Sequence, residues 1–148
     1  QDVLFVLVGY PKHAVEKHIG RTGVGDRVIL PGEVDYAELG LWLASADLAV
    51  DPKISGSGEA SGKILHYMAA GLPVVCFDTE NNRAFLGEHA FYPAAVSSPD
   101  LAAAIDLALT DPESRLKYGA FCRTMVQKNF SIDSVGRQLD RLYHQFER

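Results

Sequence analysis

Residues 3–8, Val-Leu-Phe-Val-Leu-Val, form an unbroken apolar run. That is the pattern of a β-strand covered on both faces. Gly9-Tyr10-Pro11 closes it, and a helix is expected over about 13–22, ending near Gly23 or Gly25. Residues 27–30 make a short second strand, stopped by Pro31-Gly32. Asp35 has the look of a helix N-cap with Glu38 as its capping-box partner, ahead of an apolar stripe at Leu39, Trp42, Leu43 and Ala46. Residues 47–51 form a third strand, followed at once by the glycine-rich stretch 54–62. The spacing predicts a helix over 63–70 with Gly71 as its C′ stop and Pro73 just beyond, then a fourth strand over 72–77. A short helix over 80–87 and a strand or extended edge over 90–93 follow.

Three helices complete the chain. One opens at Ser98 or at Pro99-Asp100 and carries Leu101, Ile105, Leu107 and Leu109. Asp111-Pro112-Glu113 starts the next, with an Asp cap, Pro at the first helical position and an early Glu. The last is capped by Ser131 or Asp133 and shows Val135, Leu139, Leu142, Tyr143 and Phe146 on one side. Strands alternate with helices throughout, so the expected fold is α/β: a Rossmann-like parallel sheet flanked by helices on both faces. In such sheets ligands sit beyond the carboxyl ends of the strands. The loop after the third strand is at that end.

The 148 residues are one domain's worth, and no linker, repeat or low-complexity tract interrupts 1–148. A net charge of -5 and the lack of a basic stripe argue against a nucleic-acid partner. Two cysteines, Cys76 and Cys122, are too few for a disulfide framework or a zinc site. They read as buried reduced thiols, and with no apolar run of membrane-spanning length and no signal-peptide pattern the expected location is cytoplasmic. The chain starts inside a strand with no initiator Met, which reads as a piece of a longer protein.

Gly56, Gly58 and Gly62 cluster between a strand and a helix. Glycine lets backbone approach a ligand, and a helix N-terminus offers free N–H donors and partial positive charge. Lys63 places a cation in that first turn, against the helix dipole; a bound anion would reverse the sign of that conflict. The stretch is not a Walker A loop, because position 57 is Ser and position 64 is Ile. Nor is it the dinucleotide fingerprint: Gly56-x-Gly58-x-x-x-Gly62 is one residue too long and follows a later strand. On the residues alone, a flexible turn with a solvated Lys63 and a diphosphate seat both stand.

Ser61-Gly-Lys-Ile-Leu-His-Tyr-Met-Ala-Ala-Gly-Leu-Pro-Val-Val75 resembles a segment of the retaining, family-4-type (group 1) glycosyltransferases, where "Glu-Ala-Met-Ala-Cys-Gly-x-Pro-Val-Val" or "Ser-Gly-Lys-x-x-Glu-Tyr-Met-Ala" is found. Residues 26–32, Asp-Arg-Val-Ile-Leu-Pro-Gly, resemble the family's "Arg-Val-x-Phe-x-Gly" strand. Residues 39–47 resemble its "Leu…Ala-Asp" stretch, and 101–143 its C-terminal tail.

The resemblance implies the C-terminal, donor-binding half of a two-domain GT-B enzyme. Such an enzyme transfers a sugar, with retention, from a UDP, GDP or ADP sugar to an acceptor, without a metal or other cofactor. By position, Gly58, Ser61, Gly62, Lys63 and Ile64 fall on the diphosphate-binding turn, and Val28, Leu30 and Gly32 lie near the base. His66 stands where the family has the second Glu of a Glu-x7-Glu pair that binds ribose. The first Glu falls on Gly58, and the neighbouring Glu59 becomes the catalytic candidate at the sugar. The acceptor is expected mainly on the N-terminal half, which could also make the protein membrane-peripheral, and the isolated domain is expected to be inactive. Two other readings remain: a non-catalytic interaction domain of the same fold, and a nucleotide-sugar epimerase. Trp42 and Tyr143 read as core, and His13, His18, His89 and His144 show no metal spacing.

Overall fold

The computed structural model describes residues 2–9, 12–54 and 61–146. The chain divides into two compact units, Gln1–Trp42 and Leu43–Arg148. In the first, β1 (Phe5–Val8) pairs in parallel with β2 (Val28–Gly32), and α1 (Lys12–Thr22) and a 3-10 turn at Gly25–Arg27 connect them. β2 runs through Pro31 to Gly32, where the sequence pattern had it stop at Leu30. The pairing slips between Val6 and Val8, which brings Val8 opposite Gly32. β1 is a strand, but Phe5, Val6, Leu7 and Val8 are each 40% or more exposed. The apolar run predicted cover on both faces; among the described residues, β2 is the only strand β1 pairs with.

The boundary between the units falls within α2 (Leu39–Ala44). Asp35 does not cap this helix. Its Oδ1 accepts from the Ala37 amide at 3.0 Å, a turn of the Asx type, and α2 starts only at Leu39.

The second unit holds the core. β3 (Ala49–Asp51) pairs in parallel with β4 (Val74–Cys76), and Phe91 adds a single parallel bridge to Val75. Side chains alternate across β4, and the alternation sorts the helices. Val74 and Cys76 face α3 (Gly62–Ala70) and α6 (Pro112–Asn129), where Ile64, Met68, Cys122 and Val126, joined by Leu86, complete one apolar cluster. Val75 and Phe91 face the other way, onto Ala104 and Ala108 of α5 (Ser98–Thr110). Helices therefore cover both faces of this parallel pair, as the alternating pattern predicted.

The helix ends follow their caps. Thr79 caps α4 (Glu80–Leu86), Ser97 caps α5, Asp111 caps α6 and Ser131 caps α7 (Ile132–His144), each accepting an amide from the first turn. α5 starts at Ser98, the first of the two openings the sequence offered. Gly71 stops α3 in the left-handed conformation at φ 74°, and the Leu72 amide returns to the Tyr67 carbonyl at 3.0 Å. Tyr143 is not core: it is 67% exposed, on an α7 whose apolar side is largely uncovered. Trp42 is half-buried.

Candidate functional site

β3 and β4 are parallel, so α3 leaves the carboxyl end of β3 and returns to the amino end of β4. Its N-terminus therefore sits at the ligand-binding end of the sheet, together with Asp78 and the start of α4. Ile64 and Met68, four residues apart, are both fully buried and fix the rotation of α3. That rotation leaves Gly62 and Lys63 exposed at the first turn and His66 half-buried beside them.

This helix start differs from those of α4 to α7. Ser61 is 7% exposed but its side chain makes no capping bond, and the first turn carries no acid. α4, α5, α6 and α7 each have both. Gly62 has no structural need to be glycine: its φ is not positive, and a Cβ there would meet nothing within 4 Å. Lys63 has no partner among the described residues. The Ile64 amide already donates to the Ser61 carbonyl at 3.1 Å; the earlier amides of the first turn, an open glycine and an unpaired ammonium make a seat for an anion.

A second cation at this end is committed elsewhere. Arg83 of α4 grips Asp78 through Nε and Nη2, both at 2.7 Å, and its Nη1 reaches Glu88 at 2.7 Å. Its guanidinium also stacks on the Tyr92 ring, 4.0 Å from the centroid. That grip holds the Asp78 carboxyl below its ordinary value. Buried Asn82 ties the same corner by donating to the Phe77 carbonyl at 2.8 Å.

Two residues here were passed over in the sequence. Asp51 ends β3 on the same face as Ala49; it is 1% exposed, and neither carboxyl oxygen has a hydrogen-bond partner among the described residues. Burial of Tyr67, helped by the nearby Asp51, raises the Tyr67 hydroxyl above its ordinary value. Burial, helped by Asp51 and Asp78, also pushes the Cys76 thiol up to about 12. The legible signal was a charged residue in the buried phase of a strand. Lys53, two positions on, is an exposed cation at the same strand end.

Of the other sequence-derived residues, Leu30 and Gly32 line a small cleft at the carboxyl ends of β1 and β2. Val28 lies at the opposite end of β2, paired with Phe5, and does not line it. Gly58 and Glu59 lie outside the described residues. A groove of about 620 Å³ runs past Leu72, Pro73 and Gly119, at the amino end of β4 and away from the α3 seat. Among the described residues no helix is long and apolar enough to cross a membrane.

The comparisons with known proteins cover nearly the whole chain. The alpha-D-kanosaminyltransferase of Streptomyces kanamyceticus is 26% identical over 149 aligned positions, spanning 98% of this chain and 38% of the relative. Sucrose-phosphate synthase of Thermosynechococcus elongatus superposes with a TM-score of 0.81 at 24% identity, over 95% of this chain and 38% of that structure. HepE of Anabaena, solved with UDP, superposes with a TM-score of 0.84 at 18% identity, over 97% and 41%. The chain thus spans about two fifths of the length of these three proteins. Its fold is the GT-B type of these neighbours. Residues 1–111 match the family model described as glycosyl transferases group 1, and this chain belongs to that family.

Proposed function

We propose that the chain is the donor-binding domain of a retaining glycosyltransferase, and that α3 seats the donor diphosphate at Ser61, Gly62, Lys63 and Ile64. The observation that carries this is the first turn of α3: uncapped by Ser61, open at Gly62, free of acid, and led by an unpaired Lys63. Cleaving the donor places negative charge on the leaving diphosphate. Preorganised amides and the Lys63 ammonium meet that charge where it develops, and loss of one such donor costs roughly 2.7–4 kcal/mol in the transition state. The seat supplies this charge from the protein itself, so the reading is metal-independent. Glu59 is the proposed carboxylate beside the sugar, and His66, one turn along α3 from Lys63, the proposed ribose contact through a ring nitrogen.

UDP in complex with HepE, UDP and glucose in a second structure of it, and the transferase name of the Streptomyces relative support a nucleotide-sugar donor and, in this reading, a hexosyl transfer. The acceptor and the remaining catalytic groups belong, in this reading, to another part of the full enzyme. The domain alone binds donor without transferring sugar, in the cytoplasm or at a membrane surface.

Calorimetry of the intact protein with UDP, GDP and ADP tests the seat. At least one nucleotide binds, and Lys63→Ala weakens binding by roughly tenfold or more, the worth of a charge-assisted hydrogen bond. No binding to any of the three by a folded sample at millimolar concentration sinks the reading. The departures at Gly58 and His66 favour one alternative, a non-catalytic interaction domain. That alternative predicts no effect of Lys63→Ala.

A further inference from the structure

We propose that Asp51 sets how tightly the α3 seat holds its anion. Its buried carboxylate opposes the bound diphosphate, so the seat grips by the difference between two fixed charges, Lys63 attracting and Asp51 repelling, and the spent nucleotide leaves. This rests on the reading of α3 as the diphosphate seat.

The strand pattern places the charge. Side chains alternate along β3, so Ala49 and Asp51 share one face while Val50 packs on the other with Val75 and Phe91. Ala49 belongs to the cluster that holds Ile64 and Met68 of α3. Asp51 is therefore on the α3 side, at the last position of β3, paired with Cys76 at the last position of β4. The first turn of α3 lies at that same carboxyl end. Asp51 is 1% exposed, and its two oxygens are without a hydrogen bond among the described residues. The cations of this end leave it bare: Arg83 is held by Asp78 and Glu88, and Lys53 and Lys63 are exposed and pair with no acid among the described residues. A buried carboxylate without a partner costs the fold free energy that an asparagine or an apolar residue would not. Such a cost at a ligand-binding end marks a group whose charge is used.

The field reaches α3. Tyr67 stands one turn after Lys63 on the same side of the helix, and Asp51 adds to burial in raising its hydroxyl. A buried charge is screened by salt much less than an exposed one, so Asp51 acts on the seat from beneath while Lys63 acts from the surface. Loss of the sugar leaves the terminal phosphate of the nucleotide with an additional ionisable oxygen, whose pKa of about 6 makes it largely charged at neutral pH. Asp51 therefore opposes the product more than the donor, and the seat lets go after transfer.

The test is titration of the intact protein with UDP, GDP and ADP and with the matching monophosphates, for wild type, Asp51→Asn and Lys63→Ala, with thermal melts alongside. Asparagine keeps the shape of Asp51 and removes the charge. Asp51→Asn binds the preferred diphosphate roughly three- to tenfold tighter, the worth of one charge at protein-like screening. The monophosphate gains less, and the variant melts no lower than wild type. A packing role for Asp51 would not grade the change by phosphate charge. Unchanged or weaker diphosphate binding by Asp51→Asn, equal gains for mono- and diphosphate, or a variant that melts lower or fails to fold overturns the role of Asp51. The seat itself still stands in those cases if Lys63→Ala weakens binding. No binding by any of the nucleotides overturns both.

Discussion

Gly62 carries the sharpest conflict between stability and ligand. In a helix a glycine without positive φ costs about 0.5–1 kcal/mol relative to alanine. Nothing within 4 Å would obstruct a Cβ at Gly62. Gly62→Ala is therefore expected to stabilise the fold by about 0.5 kcal/mol and, at the same time, to lower nucleotide affinity by crowding the first amides of α3. Chemical denaturation and calorimetry on the same variant read the two effects separately; a variant that gains stability and keeps its affinity removes Gly62 from the seat. At this scale much was legible in the sequence. Lys63 stood out because a cation opposes the dipole of its own helix. Asp51 did not stand out, because its burial depends on α3 closing over β3, and nothing local reports that.

Two element contacts hold the second unit in place, one at each end of its parallel strands. The first is the crossing of α3 and α6. A Cβ on Gly119 would run into the carbonyl oxygen of Gly71, so the helices meet there backbone to backbone. A carbonyl cannot swing aside as a side-chain tip can. Gly119→Ala is expected to destabilise the protein by about 1–3 kcal/mol, the usual range for overpacking, despite alanine's better helix propensity. Urea unfolding checks the sign. The second is the corner at Asp78 and Arg83. Bonds from Arg83 lower the Asp78 carboxyl from its ordinary 3.8, so its contribution is fully present above that pH. It disappears as pH falls through the depressed folded value. Asp78 is half exposed, so the contribution is under about 1 kcal/mol. Asp78→Asn is thus expected to lower the melting temperature slightly at pH 7 and to match wild type in strong acid; an equal gap at both pH values would show that the pair is not the cause. Helix boundaries were legible here because caps are local chemistry, as at Asp111 and Ser131. The extent of β3 and β4, three residues each, was not. Pairing partners decide where a strand ends, and those lie more than twenty positions away in the chain.

Across the whole molecule, burial is concentrated in the second unit. Every buried large apolar side chain among the described residues comes from position 49 onward, while the strand residues of β1 stay 40–46% exposed. Few buried contacts mean a low local opening free energy. Amide exchange should therefore be faster in β1 than in β4, and protection of Phe5–Val8 equal to that of Val74–Cys76 would contradict the difference in packing. The sequence by itself determined the order of the main strands and helices, the caps at Asp111 and Ser131, the stop at Gly71 and the family likeness, because each rests on near neighbours and on periodicity. Tertiary structure alone decided which faces are covered, that Arg83 is committed to Asp78 and Glu88 while Lys63 has no partner among the described residues, and that Asp51 sits buried beneath α3. Those outcomes depend on which elements close over which, and that is set by contacts between residues far apart in the chain.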